Sequence, residues 1–175
     1  TFGTNATADI DVSAANISIQ NFIFIASVAS CATCFEMVSA TDFSVEYCEF
    51  RDAAATTGFI NLIDTDAVAN GNDGLYFCNN RWKSLDDIAA TSALDIDETI
   101  DRMQVNDNFI VCNQAVNSTP VLVDAATFDL TNVEIARNKV YRLGDAATGG
   151  ILLETSSTAS TGFVYDNKCT CSDPT

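Results

Sequence analysis

Met103-Gln-Val-Asn-Asp-Asn-Phe-Ile110 and Val133-Glu-Ile-Ala-Arg-Asn-Lys-Val140 are two copies of one phrase. Apolar residues hold its first, third and eighth places, and an asparagine holds the sixth. The phrase recurs as Ile17-Ser-Ile-Gln-Asn-Phe-Ile-Phe24, Phe43-Ser-Val-Glu-Tyr-Cys-Glu-Phe50, Leu75-Tyr-Phe-Cys-Asn-Asn-Arg-Trp82 and Gly162-Phe-Val-Tyr-Asp-Asn-Lys-Cys169. Its third residue is Ile19, Val45, Phe77, Val105, Ile135 and Val164, at separations of 26, 32, 28, 30 and 29 residues. A period near 30 residues marks a repeat architecture, in which no unit buries its apolar face alone and stacking closes the core.

Within the phrase, the first and third places alternate with outward residues, the two-residue period of a half-buried strand. Only Gly162 breaks the rule at the first place. The sixth place reads Phe22, Cys48, Asn80, Asn108, Asn138 and Asn167. Asparagine there is expected to accept left-handed geometry at a bend and to hydrogen-bond the same residue in the next coil. The phrase therefore predicts strand, bend, strand. Between phrases lie second apolar runs: Phe35-Glu-Met-Val38, Phe59-Ile-Asn-Leu-Ile63, Ala93-Leu-Asp-Ile96, Val121-Leu-Val123 and Ile151-Leu-Leu153. Polar or glycine-rich stretches separate them. Helical spacing shows only over Ser84 to Ile100, where Asp86, Asp87, Asp95, Asp97 and Glu98 read better as an acidic loop around one strand. No linker divides the chain, so residues 1–175 form a single domain.

With two or three short strands per coil and a recurring asparagine, Ile17 to Cys171 resembles the right-handed parallel β-helix of the pectate-lyase-like superfamily, which also includes many phage tail-spike proteins. The expected fold is all-β, a solenoid of about six coils with a body of roughly 29 Å at strand spacing. Right-handed crossovers follow from the general rule for parallel strands. An antiparallel β-sandwich is the runner-up.

Composition narrows the function. The chain has 8 Lys+Arg against 24 Asp+Glu, a net charge of −16 and no histidine. The acidic balance argues against nucleic acid and anionic lipid as partners. The missing imidazole removes histidine general-base and histidine metal-ligand chemistry. No apolar run approaches the roughly 20 residues of a membrane span, so no membrane insertion is expected. The chain opens on Thr1 rather than Met, which suggests a processed product or part of a longer polypeptide.

Of the seven cysteines, Cys48, Cys78 and Cys112 read as small apolar strand residues. Cys31 and Cys34 could form a local disulfide in an oxidising setting, whereas Cys169 and Cys171 could bridge only with strain. Asp64, Asp66, Asn72 and Asp73 offer oxygen ligands suited to calcium. The spacing lacks the closing glutamate of a calcium loop, and a solvated acidic loop is the preferred reading. Neither a metal nor a cofactor is expected. The sequons at Asn5, Asn16 and Asn117 carry little weight.

Stacking the phrases sorts outward residues into columns. One reads Ser18, Ser44, Tyr76, Gln104, Glu134, Phe163, and its neighbour Gln20, Glu46, Cys78, Asn106, Ala136, Tyr165. Glu46 and Glu134 fall about 14 Å apart at strand spacing, too far for a glycosidase pair. No base suited to a lyase stands beside them. The fifth places put Asp107, Arg137 and Asp166 in an alternating ionic ladder, and the seventh places bring Glu49 to Arg81. All eight basic residues lie in or beside the phrases. Arg51, Arg81, Lys83, Arg137, Lys139 and Lys168 thus form a candidate partner-binding edge for an acidic surface.

These features favour a non-catalytic structural or adhesive β-helix on a virion surface, with a homotrimer or a capsid or tail scaffold as partner. A carbohydrate-active or carbohydrate-binding domain is the alternative, with Tyr76, Phe163 and Tyr165 as sugar-stacking platforms and a surface polysaccharide as partner. A cell-surface adhesin fragment is a third reading. Each implies a virion-surface or extracellular location.

Overall fold

The computed structural model describes residues 10–28, 30–54, 57–65, 71–84, 92–113, 121–125, 127–143 and 151–171. Those residues hold twenty strands, β1 to β20 in chain order, and no helix. Three sheets carry the architecture. Sheet A stacks β1 (Ile10–Val12), β4 (Cys31–Met37), β7 (Phe59–Thr65), β10 (Ser92–Ile96), β14 (Val121–Asp124) and β18 (Ile151–Glu154). Sheet B stacks β2 (Ser18–Gln20), β5 (Ser44–Glu46), β8 (Tyr76–Cys78), β12 (Gln104–Asn106), β16 (Val133–Ala136) and β19 (Gly162–Tyr165). Sheet C stacks β3 (Ile23–Ala26), β6 (Glu49–Asp52), β9 (Arg81–Ser84), β13 (Phe109–Asn113), β17 (Lys139–Leu143) and β20 (Lys168–Cys171). A small sheet pairs β11 (Ile100–Asp101) with β15 (Leu130–Thr131).

Every pairing is parallel between one turn and the next, so the chain is a parallel β-solenoid and not the antiparallel sandwich. The register is the one the phrase specifies: Ile19, Val45, Phe77, Val105, Ile135 and Val164 are successive partners in sheet B. The phrase itself is a sheet B strand, a bend, and a sheet C strand. The second apolar runs are the strands of sheet A, to which β1 adds one the sequence reading had not marked.

Two columns of left-handed residues turn the chain. Asn21, Tyr47, Asn79, Asp107, Arg137 and Asp166 have φ between 53° and 61° at the corner between sheets B and C. These are the fifth places of the phrase, not the sixth. Asn16, Asp42, Gly74, Arg102 and Asn132 have positive φ just before sheet B. The expectation that the sixth-place asparagine takes the left-handed conformation is therefore corrected. Its job is the ladder. Asn108 Nδ2 donates to Asn138 Oδ1 at 2.9 Å, and Asn138 Nδ2 donates to Asn167 Oδ1 at 2.9 Å. The same oxygens accept backbone N–H groups from the preceding turn: Cys48 to Asn80, Asn80 to Asn108, Asn108 to Asn138 and Asn138 to Asn167. Each Nδ2 also reaches back to a carbonyl, as from Asn108 to Phe77 at 2.7 Å. A buried corner would otherwise strand these N–H groups at a cost of about 1–3 kcal/mol each.

Gly162 departs from the phrase for a steric reason. With φ of +149°, a Cβ there would lie 2.2 Å from the Val133 carbonyl oxygen. Sheet A departs from simple alternation too. Cys34 and Phe35, Leu62 and Ile63, Ala93 and Leu94, and Leu122 and Val123 are consecutive, and all are buried. The sheet pairings step over the first member of each couple. The strand bends there and sends two neighbours into the core, which is why these runs are continuously apolar. In the core, Phe24 stacks on Phe50 with centroids 5.2 Å apart, and Phe35 meets both edge-on.

The two end turns each leave a face open. Phe22 and Ile23 are 55% exposed at one end, and Phe163 is 74% exposed at the other. The body covered on both sides is thus about four turns, fewer than the six coils counted from the phrases. Cys31 and Cys34 lie on one extended strand with no disulfide between them, and Cys48, Cys78 and Cys112 are buried elsewhere in the core. Burial pushes the Cys34 thiol far up.

Asn108→Ala should cost about 2–4 kcal/mol in urea unfolding, because it orphans the buried Asn80 N–H and removes a second donor from the Phe77 carbonyl. Asn167→Ala, at the half-exposed last rung, should cost about 1 kcal/mol, since water reaches the groups it frees. Equal losses at the two positions would remove the ladder as the corner's organising interaction.

Candidate functional site

Sheet B presents an ionic cluster and a groove. Arg137, at its bend, grips Asp107 through Nε and Nη2 at 2.9 to 3.1 Å. Its Nη1 donates to the Tyr165 hydroxyl at 3.2 Å and lies 3.8 Å from Glu134 Oε1. Tyr165 in turn donates to Glu134 at 2.6 Å. The Asp107 hydrogen bonds, then Tyr165, hold the guanidinium firmly charged. The Glu134 hydrogen bond pushes the Tyr165 phenol above its ordinary value. The expected ladder of Asp107, Arg137 and Asp166 is therefore realised only on one side: Arg137 turns to Asp107, Glu134 and Tyr165, and no ion pair to Asp166 forms among the described residues.

Beside this cluster lies a groove of about 400 Å³, lined by Gln104, Asn132, Val133, Glu134, Thr161, Gly162 and Phe163. Of the three aromatic residues picked from the sequence, Phe163 borders it and Tyr165 adjoins it through Glu134. Tyr76 pairs with Gln104 in the same column but stands three turns from Phe163. The three do not form one platform.

Apart from Arg137, the basic residues of the candidate partner-binding edge lie on sheet C. Arg51 on β6, Arg81 and Lys83 on β9, Lys139 on β17 and Lys168 on β20 alternate with buried Phe50, Trp82 and Val140, so they all point out from sheet C. Arg137 is at the corner, consumed by the sheet B cluster. Arg51 lies opposite Lys83, and Lys139 opposite Lys168, in neighbouring strands. Like charges so placed repel. Between them, Phe109 and Tyr141 meet with centroids 5.4 Å apart. The Arg81 guanidinium lies 5.5 Å from the Phe109 centroid, and Lys168 Nζ lies 5.9 Å from that of Tyr141. Glu49 stands opposite Arg81 as expected, but its ion pair is with Arg51 at 3.8 Å.

Sheet A holds a feature the sequence reading did not assemble. Asp11, Glu36, Asp64, Asp95 and Asp124 are successive register partners, one carboxylate per turn. The signal was present, as an acid directly follows the inward residue of each run: Phe35-Glu36, Ile63-Asp64, Leu94-Asp95 and Val123-Asp124. Burial first, then Asp97 and Asp124, push the Asp95 carboxyl above its ordinary 3.8, against a hydrogen bond from Asn61 Nδ2 at 2.8 Å.

Of the calcium candidates, Asp64 belongs to this carboxylate column and Asp66 lies outside the described residues. Asn72 is fully buried, its Oδ1 accepting from Ala40 N and its Nδ2 donating to Met37 O. Asp73 Oδ1 accepts from Asp101 N. Among the described residues, no group of three or more acidic or cysteine side chains is placed to hold a metal ion. Comparison of the chain with protein-family models, curated proteins and solved structures returned no match.

Because folding raises the Asp95 pKa, its contribution favours the fold at low pH and is lost as pH rises through the raised value. Asp95→Asn should therefore raise Tm near pH 7, and the gain should vanish below about pH 4, where the wild-type carboxyl is protonated. Thermal melts across that range read this directly. A gain that is independent of pH would rule out charge repulsion as its source.

Proposed function

We propose that the chain is a non-catalytic structural or adhesive solenoid of a virion surface, with a pectate-lyase-like or tail-spike-like relationship as the finer reading of its fold. One observation carries the proposal. The outward side chains run as axial columns of standing charge, and the Asp107 and Glu134 carboxylates are tied to a single guanidinium and a phenol. A glycosidase pair or a lyase base must be free to take or give a proton, and this cluster spends its acids on holding Arg137. The parallel solenoid supplies a stiff, acidic rod, suited to display. A cell-surface adhesin would use the same properties, and labelling distinguishes the two.

Antibodies raised against the chain should decorate intact particles in electron micrographs. Labelling of cell envelopes instead would move the assignment to an adhesin. Release of reducing ends or unsaturated sugars from a polysaccharide panel would overturn the non-catalytic reading.

The groove favours a second reading, carbohydrate binding. Phe163 offers an exposed ring beside the amides of Gln104 and Asn132 and the Glu134 carboxylate, a combination suited to a sugar's apolar face and hydroxyls. On that reading, Phe163→Ala should weaken binding to a glycan array at least about tenfold without lowering Tm. Unchanged array binding would dispose of the groove as a sugar site.

A further inference from the structure

We propose that sheet C of one copy of this chain packs against the carboxylate column of sheet A of a second copy, with the two solenoid axes parallel. The inference deepens the structural reading above and rests on it, because it names the partner that the rod's charged faces fit.

Two observations meet here. Sheet C carries like charges opposite one another at Arg51 with Lys83 and at Lys139 with Lys168, in a chain of net charge −16. Elsewhere the same fold pairs its cations closely, with Arg102 on Asp42 at 3.0 Å and Arg137 on Asp107 at 2.9 Å. Among the described residues, Arg81, Lys83, Lys139 and Lys168 make no ion pair. Sheet A shows the complementary arrangement, with Glu36, Asp64, Asp95 and Asp124 on successive turns. Each arrangement is unfavourable alone. Facing each other, they neutralise.

The two patterns also share a pitch. Both rise by one strand spacing per turn, about 4.8 Å, because both belong to the same solenoid. Parallel copies therefore stay in step along their length. In an unshifted pairing, Arg51 meets the level of Glu36, Arg81 and Lys83 that of Asp64, and Lys139 that of Asp124. Between these, Phe109 stands at the level of Asp95, and Lys168 at that of Glu154. The contact is heterologous, with different faces meeting, so it can close into a ring. The apolar rings of Phe109 and Tyr141 at the centre of the cationic face give it a desolvated core.

Sedimentation and light scattering at low and high salt test this. Wild type should associate at about 50 mM salt and dissociate at least tenfold more readily at about 500 mM, where screening is strong. Arg81→Glu with Lys139→Glu should be monomeric at both, and so should Asp64→Lys with Asp124→Lys, which reverse the acids at the same two levels. Mixing the two reversed variants should restore association into species containing both. Circular dichroism of each variant checks that the solenoid persists, and Arg81 and Lys139 are exposed enough to tolerate reversal. A wild-type monomer at both salts, association indifferent to reversal, or a mixture that stays monomeric would overturn the proposal. A monomer that captures an anionic polymer on sheet C would likewise overturn it. A monomer that still decorates particles would overturn this inference alone and leave the display function standing, whereas an associating chain that cleaves polysaccharide would do the reverse.

Discussion

A parallel solenoid must turn its chain at every corner without leaving buried backbone groups unpaired, and here the stacked amides of Asn80, Asn108, Asn138 and Asn167 meet that demand. Each amide accepts an N–H from the turn before it and returns an N–H to a carbonyl there. The corner between sheets B and C is therefore fixed in space, turn after turn. Everything functional inherits that fixity. Sheet B's ionic cluster and sheet C's cationic face begin on either side of the bend, so their residues line up along the axis without needing contacts of their own to hold register.

The price of such regularity is that unfavourable neighbours repeat as faithfully as favourable ones. A residue type chosen for one turn meets its counterpart about 4.8 Å above and below. Stacked phenylalanines gain from this, as Phe24 and Phe50 show. Stacked carboxylates lose, and at Asp95 the Asp124 charge adds to burial and to Asp97 in raising the pKa. The solenoid relieves the strain in two ways. At Arg137 it places a cation between acids, and at Asp95 it supplies the Asn61 amide. On sheet C it does neither for Lys139 and Lys168, which sets that face apart.

Much of this was legible before any coordinates. The period of the third place gave register directly, because a half-buried strand specifies its pairing through alternation. The sheet B and C columns followed from that register. The misplacement of left-handed geometry by one residue has a simple cause. Asparagine suits both a left-handed bend and an amide ladder, and composition cannot tell which task it performs. Arg137, which has no special liking for positive φ, occupies the bend beside the ladder residue Asn138, and Tyr47 does so beside Cys48, whose N–H is held by Asn80 Oδ1. The carboxylate column of sheet A escaped notice because the sheet A strands bend between two buried neighbours, so that no single alternation runs through them. The loss of Arg137 from the cationic face has another cause, since side chains at a corner choose among neighbours on both sides.

The ladder also makes the two ends of the solenoid unlike. Its first two turns hold Phe22 and Cys48 where the later turns hold asparagine, so the nearest-neighbour coupling at this corner is weaker there. In a one-dimensional stack, order nucleates where coupling is strongest and spreads outward. By the ladder alone, the turns from Asn80 onward are the more tightly coupled end. The strands around Ile19 and Phe24 lean instead on stacked rings, with Phe24 on Phe50 and edge-on to Phe35.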